Sequence, residues 1–244
     1  MKYVIPAGRR TLVIVGAAAL VVAAAGTALA VGAPSGPHSH TASLAADGRS
    51  SATLEVVTGT PLLTVRVASL GGTSGTLIKA STPADAPPSP VTLTWDKGVI
   101  DLSASTSSGT TPVTVTLNEA VRWRLDFAGG TEHTVADLRG GNVAAVTFTA
   151  GSDTIDLSLP KPRGMVPVQL AGGASQFRVN LPDGVPVRVT AAGGAGTVTV
   201  DGASYTGVGG GSVFATRGWS ASAAGFDVDA TAGAAWLTVA RYTR

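Results

Sequence analysis

The segment Val121-Arg122-Trp123-Arg124-Leu125-Asp126-Phe127 decides how the rest of this chain reads. Apolar side chains at 121, 123, 125 and 127 alternate with Arg, Arg and Asp. A period of two places the two sets on opposite faces of a half-buried strand. The same alternation continues outward in both directions. Toward the N-terminus it recurs at Val113–Leu117, Ile100–Leu102, Val91–Trp95, Thr64–Val67 and Leu54–Val56. Toward the C-terminus it recurs at Val146–Phe148, Ile155–Leu159, Val166–Leu170, Phe177–Leu181, Val185–Val189, Val198–Val200, Phe226–Val228 and Trp236–Val239. Thr fills many outward positions, where a β-branched polar side chain suits a pleated surface. No amphipathic helical pattern follows residue 35, so the expected fold class is all-β.

Glycine punctuates the strands at Gly129-Gly130, Gly140-Gly141, Gly151, Gly172-Gly173, Gly184, Gly193-Gly194 and Gly202. Their spacing of about ten residues is what a sandwich, barrel or stacked β architecture requires. Val166-Pro167-Val168-Gln169-Leu170 with Gly172-Gly173-Ala174 is echoed by Val185-Pro186-Val187-Arg188-Val189 with Gly193-Gly194-Ala195. An internal repeat of about 20 residues predicts a β-solenoid-like stack in which each layer buries its apolar face on the next. Pro167 and Pro186 occupy equivalent outward positions, which suits edge or bulge sites. Pro83–Pro90, with four prolines, reads as a loop.

Of 17 Lys and Arg against 15 Asp and Glu, three cations (Lys2, Arg9, Arg10) precede residue 36 and no acid does. The remainder therefore carries 14 cations and 15 acids, and no basic footprint for nucleic acid exists on the folded part. Thr11–Ala33 is uncharged and follows Arg9-Arg10. It reads as one N-terminal hydrophobic helix, either a signal peptide cleaved near the Ala28-Leu29-Ala30 site or a transmembrane anchor. Paired arginines before it orient the chain for export. Residues 1–33 are thus the leader, 34–51 a flexible linker, and 52–244 an extracytoplasmic all-β ectodomain. There is no cysteine, which excludes disulfides, thiolate metal sites and a thiol nucleophile.

Leu54–Val56, the stretch PVTVTLNEAVRWRLDFAGG (112–130), IDLSLPKP (155–162) and GGASQFRVNLPDGVPVRV (172–189) together resemble the toast-rack or adhesin-like β domains of bacterial envelope proteins. The combination with one hydrophobic N-terminal segment is similar to exported actinobacterial members. That resemblance implies a toast-rack-type repetitive ectodomain, a place in the envelope, and a role in surface adhesion or envelope stress response. It implies no active site.

The search for chemistry yields few constellations. His38 and His40 form an H-S-H pair with no third metal ligand nearby. His133 lies beside Glu132 in a stretch that reads as a surface turn. Asp153 with Asp156, and Asp227 with Asp229, are carboxylate pairs without the six to eight oxygens calcium takes. Gly207–Ser212 lacks the lysine of a phosphate loop. The cationic set Arg122, Arg124, Arg178 and Arg188 would form a ladder for an anionic wall polymer, provided its strands are neighbours. Trp123 and Trp236 read as core residues, whereas Trp219, in a Gly-Trp-Ser loop, is the candidate exposed aromatic. These observations favour a non-catalytic, adhesin-like surface or structural module with no cofactor, touching the membrane through residues 11–33 and an anionic wall polymer or envelope protein beyond it. The alternatives are a membrane-anchored sensory domain for envelope stress and a carbohydrate-active enzyme built on a β-helix.

Overall fold

The computed structural model describes residues 40–83, 91–96, 98–104 and 111–243. The hydrophobic segment 11–33, His38 and most of the Pro83–Pro90 loop lie outside them. The described strands are β1 (Thr41–Ala45), β2 (Ser51–Val56), β3 (Thr60–Ala68), β4 (Thr76–Ser81), β5 (Val91–Asp96), β6 (Val99–Ala104), β7 (Val113–Asn118), β8 (Arg122–Phe127), β9 (Thr131–Asp137), β10 (Asn142–Phe148), β11 (Ser152–Ser158), β12 (Met165–Leu170), β13 (Ala174–Pro182), β14 (Val187–Ala191), β15 (Ala195–Val200), β16 (Ala203–Val208), β17 (Ser212–Ala215), β18 (Gly225–Ala230) and β19 (Ala234–Tyr242). One 3₁₀ turn at Gly72–Ser74 accompanies them, and no α-helix does among the described residues.

The strands form two mixed sheets. The ten-stranded sheet runs β1-β4-β7-β3-β9-β11-β13-β19-β15-β16, and the nine-stranded sheet runs β17-β14-β18-β12-β10-β8-β2-β6-β5. From β8 to β13 the chain alternates between the sheets and advances one strand each time. Each step therefore adds a tier with one strand in either sheet, parallel to the tier before it. The pattern breaks symmetrically at the ends. After β13 the chain skips a tier to build β14 and β15, turns back through the antiparallel edges β16 and β17, and fills the gap with β18 and β19. At the other end β2 and β3 occupy the second tier, and β6 and β7 are laid outside them later. The antiparallel strands β1, β4 and β5 close that end.

The inner faces of both sheets meet in one hydrophobic cluster. At its centre Phe127 stacks on Phe148, with ring centroids 4.6 Å apart, and Phe148 meets Phe177 edge-on at 5.8 Å. Full burial of such a side chain stabilises the fold by roughly 1.5–3 kcal/mol, so the alternation converts directly into sheet-on-sheet packing. Where the chain crosses from the nine-stranded to the ten-stranded sheet, the turn glycines of successive tiers stack on one another. Thr131 N–H donates to Gly151 O, Ser152 N–H to Gly173 O and Ala174 N–H to Gly233 O. A Cβ on Gly172 would overlap the backbone of Ala150, and one on Gly59 would come within 2.9 Å of Gly130 O. Glycine is required here by close approach rather than by turn shape. The hairpin β15–β16 is the opposite case: Asp201 and Gly202 both have positive φ, at 50° and 84°. That is the type I′ turn that two-residue hairpins favour.

Three expectations are corrected. The linker assigned to 34–51 is interrupted by β1, whose Leu44 is buried and which pairs antiparallel with β4. Its small residues carry too weak an alternation to be read as a strand. The near-repeat β12 and β14 does not stack layer on layer, because β18 lies between the two copies. The two prolines differ as well. Pro167 sits inside a sheet, but the β10–β12 ladder begins only at Val168 and β10 has an irregularity between Val143 and Ala145, so its missing donor is tolerated. Pro186 precedes β14, and its carbonyl accepts from Phe226 N–H at 3.0 Å.

Candidate ligand-binding face

The four arginines of the expected ladder do not converge. Arg122 and Arg124 point outward from β8 of the nine-stranded sheet. Arg188 lies on β14 of the same sheet, four strands away, or about 19 Å at the usual strand spacing. Arg178 lies on β13 of the other sheet, with the core between it and the rest. The condition on which the ladder rested is therefore not met. Period-two alternation assigns a face to a side chain, but only the strand order assigns the sheet.

Arg188 is also occupied. Its Nε and Nη2 donate to the two carboxylate oxygens of Asp227 at 2.9 and 2.5 Å. Its guanidinium lies over the Trp219 ring, 4.3 Å from the centroid. Trp219 in turn donates its Nε1–H to Phe226 O at 3.1 Å. The residue expected to be the exposed aromatic is thus half-buried and pins its loop to the sheet. Beside this cluster, one carboxylate oxygen of Asp229 is buried without a partner. Desolvation, with the neighbouring Asp227 charge, raises its pKa above the ordinary 3.8.

The exposed tryptophan is Trp236. It was expected in the core, but 54% of its surface is open on the outer face of the ten-stranded sheet. Its strand partners explain this: Leu237 and Val239 point inward, so Trp236 shares its face with Thr238. That parity was available in the sequence, and the hydrophobicity of the indole obscured it. Across the ladders Trp236 is in register with Gln176 on β13 and Thr197 on β15, while Arg178 faces Thr238. Gln176, Phe177, Arg178, Trp236 and Thr238 line a shallow depression of about 300 Å³. The row through Trp236 continues to Thr154, His133 and Leu62, and the row through Arg178 to Asp156 and Val135. Leu62 and Val135 are also open to solvent. The face therefore combines an exposed indole, apolar side chains and hydroxyls with a cation.

The remaining candidates separate. His133 lies on strand β9 rather than in a turn, exposed on the same outer face. His40 shares a hydrogen bond with Thr82 at 3.1 Å. Asp153 and Asp156 both belong to β11 but point to opposite sides of the strand. Asp156 accepts from Asn180 Nδ2 at 2.6 Å. On the nine-stranded sheet Asp101, Glu55 and Asp126 fall in register on adjacent strands. Among the described residues no group of three His, Asp or Glu is arranged to hold a metal. Gly207–Ser212 spans the turn from β16 to β17. A second depression, of about 550 Å³, is lined by Arg66, Asp137, Arg139 and Tyr242. Its cations are engaged: Arg139 pairs with both oxygens of Asp137, at 2.8 and 2.6 Å, and Arg66 Nε donates to Thr116 Oγ1. The Arg139 hydrogen bonds hold the Asp137 pKa below 3.8, against the opposing effect of desolvation.

No protein-family model matches the chain, and no curated protein matches it. Among solved structures it is similar to a protein from Clostridium sporogenes described as a "putative cell adhesion protein". The two share 18% identity with a TM-score of 0.55, over 82% of this chain and 97% of that one. At that identity the likeness is one of fold.

Proposed function

We propose that the chain is a non-catalytic, adhesin-like module of a bacterial cell surface that contacts saccharide through the outer face of its ten-stranded sheet. The observation that carries this reading is Trp236, an exposed indole set among Gln176, Thr197 and Thr238 over a shallow depression. A flat aromatic ring offers one apolar face to the C–H side of a pyranose, while neighbouring hydroxyl and amide groups take its polar edge. The shared fold with a protein described in terms of cell adhesion supports a surface role. In this reading the tiered sheets are a toast-rack-type, solenoid-like ectodomain. Residues 11–33 export it and either anchor it in the membrane or are removed near Ala30.

Binding of the protein to immobilised cell-wall polysaccharide, wild type against Trp236→Ala, tests the proposal. Loss of a central aromatic anchor weakens binding by about tenfold or more. Equal retention of both proteins removes Trp236 from the contact and with it this assignment.

A further inference from the structure

We infer that the Trp236 site selects carboxylate-bearing sugars, with Arg178 as the residue that reads the charge; this rests on the saccharide-binding reading above. Among the described residues four arginines are matched to acids: Arg49 with Asp47, Arg139 with Asp137, Arg188 with Asp227 and Arg241 with Asp201. Arg178 has no such partner, although Asp156 is its register neighbour on β11. The reason is local. Asn180, two residues along β13, donates its Nδ2 to Asp156 Oδ1 at 2.6 Å and to Ser158 Oγ at 3.2 Å, so that carboxylate oxygen is held by the amide and not by the guanidinium. Arg178 therefore lines the depression that Trp236 overlooks with no ion pair among the described residues.

The two groups divide one ligand between them. Arg178 is diagonal to Trp236 across the β13–β19 ladder, a separation of about 7–8 Å between backbones that long side chains bridge. Arg178 does not lie over the Trp236 ring, unlike Arg188 over Trp219, so the indole face and the guanidinium edge are both available. A hexuronate carries its carboxylate directly on the pyranose ring. With that ring against the indole, the carboxylate reaches the guanidinium fork, whose two parallel N–H donors match its geometry. Gln176, in register beside Trp236, supplies an amide donor and acceptor for a ring hydroxyl. A neutral sugar keeps the stacking and loses the ion pair. The nine-stranded sheet offers no equivalent among the described residues, since Arg188 over Trp219 is closed by Asp227 and Arg49 over Trp95 is paired with Asp47.

The test uses the intact wild-type protein and three variants, Arg178→Ala, Arg178→Lys and Trp236→Ala, each checked for an unchanged thermal transition. The probes are oligogalacturonate and oligoglucuronate, each with its methyl ester, in which sugar and linkage are kept and only the charge is removed. Wild type is expected to prefer acid over ester by about tenfold, the scale of a hydrogen bond to a charged group. Added salt should erode that preference. Arg178→Ala should bind both forms alike at the wild-type ester level, Arg178→Lys should restore part of the preference, and Trp236→Ala should lose both forms. If wild type binds acid and ester equally, or Arg178→Ala keeps the preference, charge selection is overturned while the Trp236 contact stands. If wild type binds neither form, the inference is overturned, and the polysaccharide comparison above then judges the parent reading separately.

Discussion

The two outer faces of this molecule are made from the same kind of strand, yet each holds an arginine and a tryptophan in a different state. On the nine-stranded sheet Arg188 is locked between Asp227 and the Trp219 ring, and its tryptophan fastens a loop. On the ten-stranded sheet Trp236 is open and Arg178 makes no ion pair among the described residues, while its register neighbour Asp156 accepts from Asn180. One arginine–tryptophan pair stabilises the protein, and the other is free for something outside it. Residue type alone does not separate a structural staple from a binding surface; the neighbours across the ladder do.

The contrast can be broken most forcefully at the core both faces share. Phe148→Ala removes a ring packed on Phe127 and Phe177, and should lower unfolding stability by about 3–5 kcal/mol in a single denaturant transition reported equally by both sheets. Two separate transitions would show that the faces do not rest on one core. Gly172→Ala drives a Cβ into the Ala150 backbone at the corner between sheets, for an expected cost of about 1–3 kcal/mol. An unchanged midpoint would mean the tiers are not held at contact there. The sharpest comparison is between arginines. Arg188→Ala should lower the unfolding midpoint and change the Trp219 fluorescence, whereas Arg178→Ala should leave the midpoint at the wild-type value. Equal losses would erase the distinction drawn here.

Two carboxylates extend the contrast to pH with opposite signs. Asp229, on the nine-stranded sheet, has its pKa raised by desolvation and then by Asp227, so the folded state holds its proton more tightly than the unfolded chain does. Its destabilising effect is complete above the raised value and disappears below about 3.8. Asp229→Asn should therefore gain about 1 kcal/mol at neutral pH, with the gain fading as pH falls through that window. A gain independent of pH would point away from the charge. Asp137, on the ten-stranded sheet, is lowered by Arg139, so its stabilisation is present above 3.8 and lost as pH falls through the depressed value. Because the pair is largely exposed, Asp137→Asn should remove only a few tenths of a kcal/mol from that acid limb, measured by thermal melts below pH 4.

Much of the fold was legible because alternation is local. Val121–Phe127 reads as a strand from its own seven residues, and Trp123, Leu125 and Phe127 are buried as their parity requires. What failed was everything that depends on who stands alongside. The likeness of β12 to β14 suggested contact, but the chain returns from its C-terminal hairpins to place β18 between them. Arg122, Arg124, Arg178 and Arg188 looked equivalent along the chain and belong to different sheets or distant strands. Trp219 and Trp236 exchanged roles for two separate reasons. Trp219 is claimed by Arg188 and the Phe226 carbonyl, contacts no local pattern encodes. Trp236 was readable from Leu237 and Val239, had their parity been weighed above its own hydrophobicity.

The return of the chain to a skipped tier has a mechanical meaning. Trp236 belongs to the last of the described strands, yet β19 is bonded along both edges, to β13 from Ala174 to Pro182 and to β15 from Ala195 to Val200. Tension applied to Trp236 along that strand loads two ladders in shear, so many hydrogen bonds must yield together. The same tension on an outermost strand such as β16 would be resisted by a single ladder.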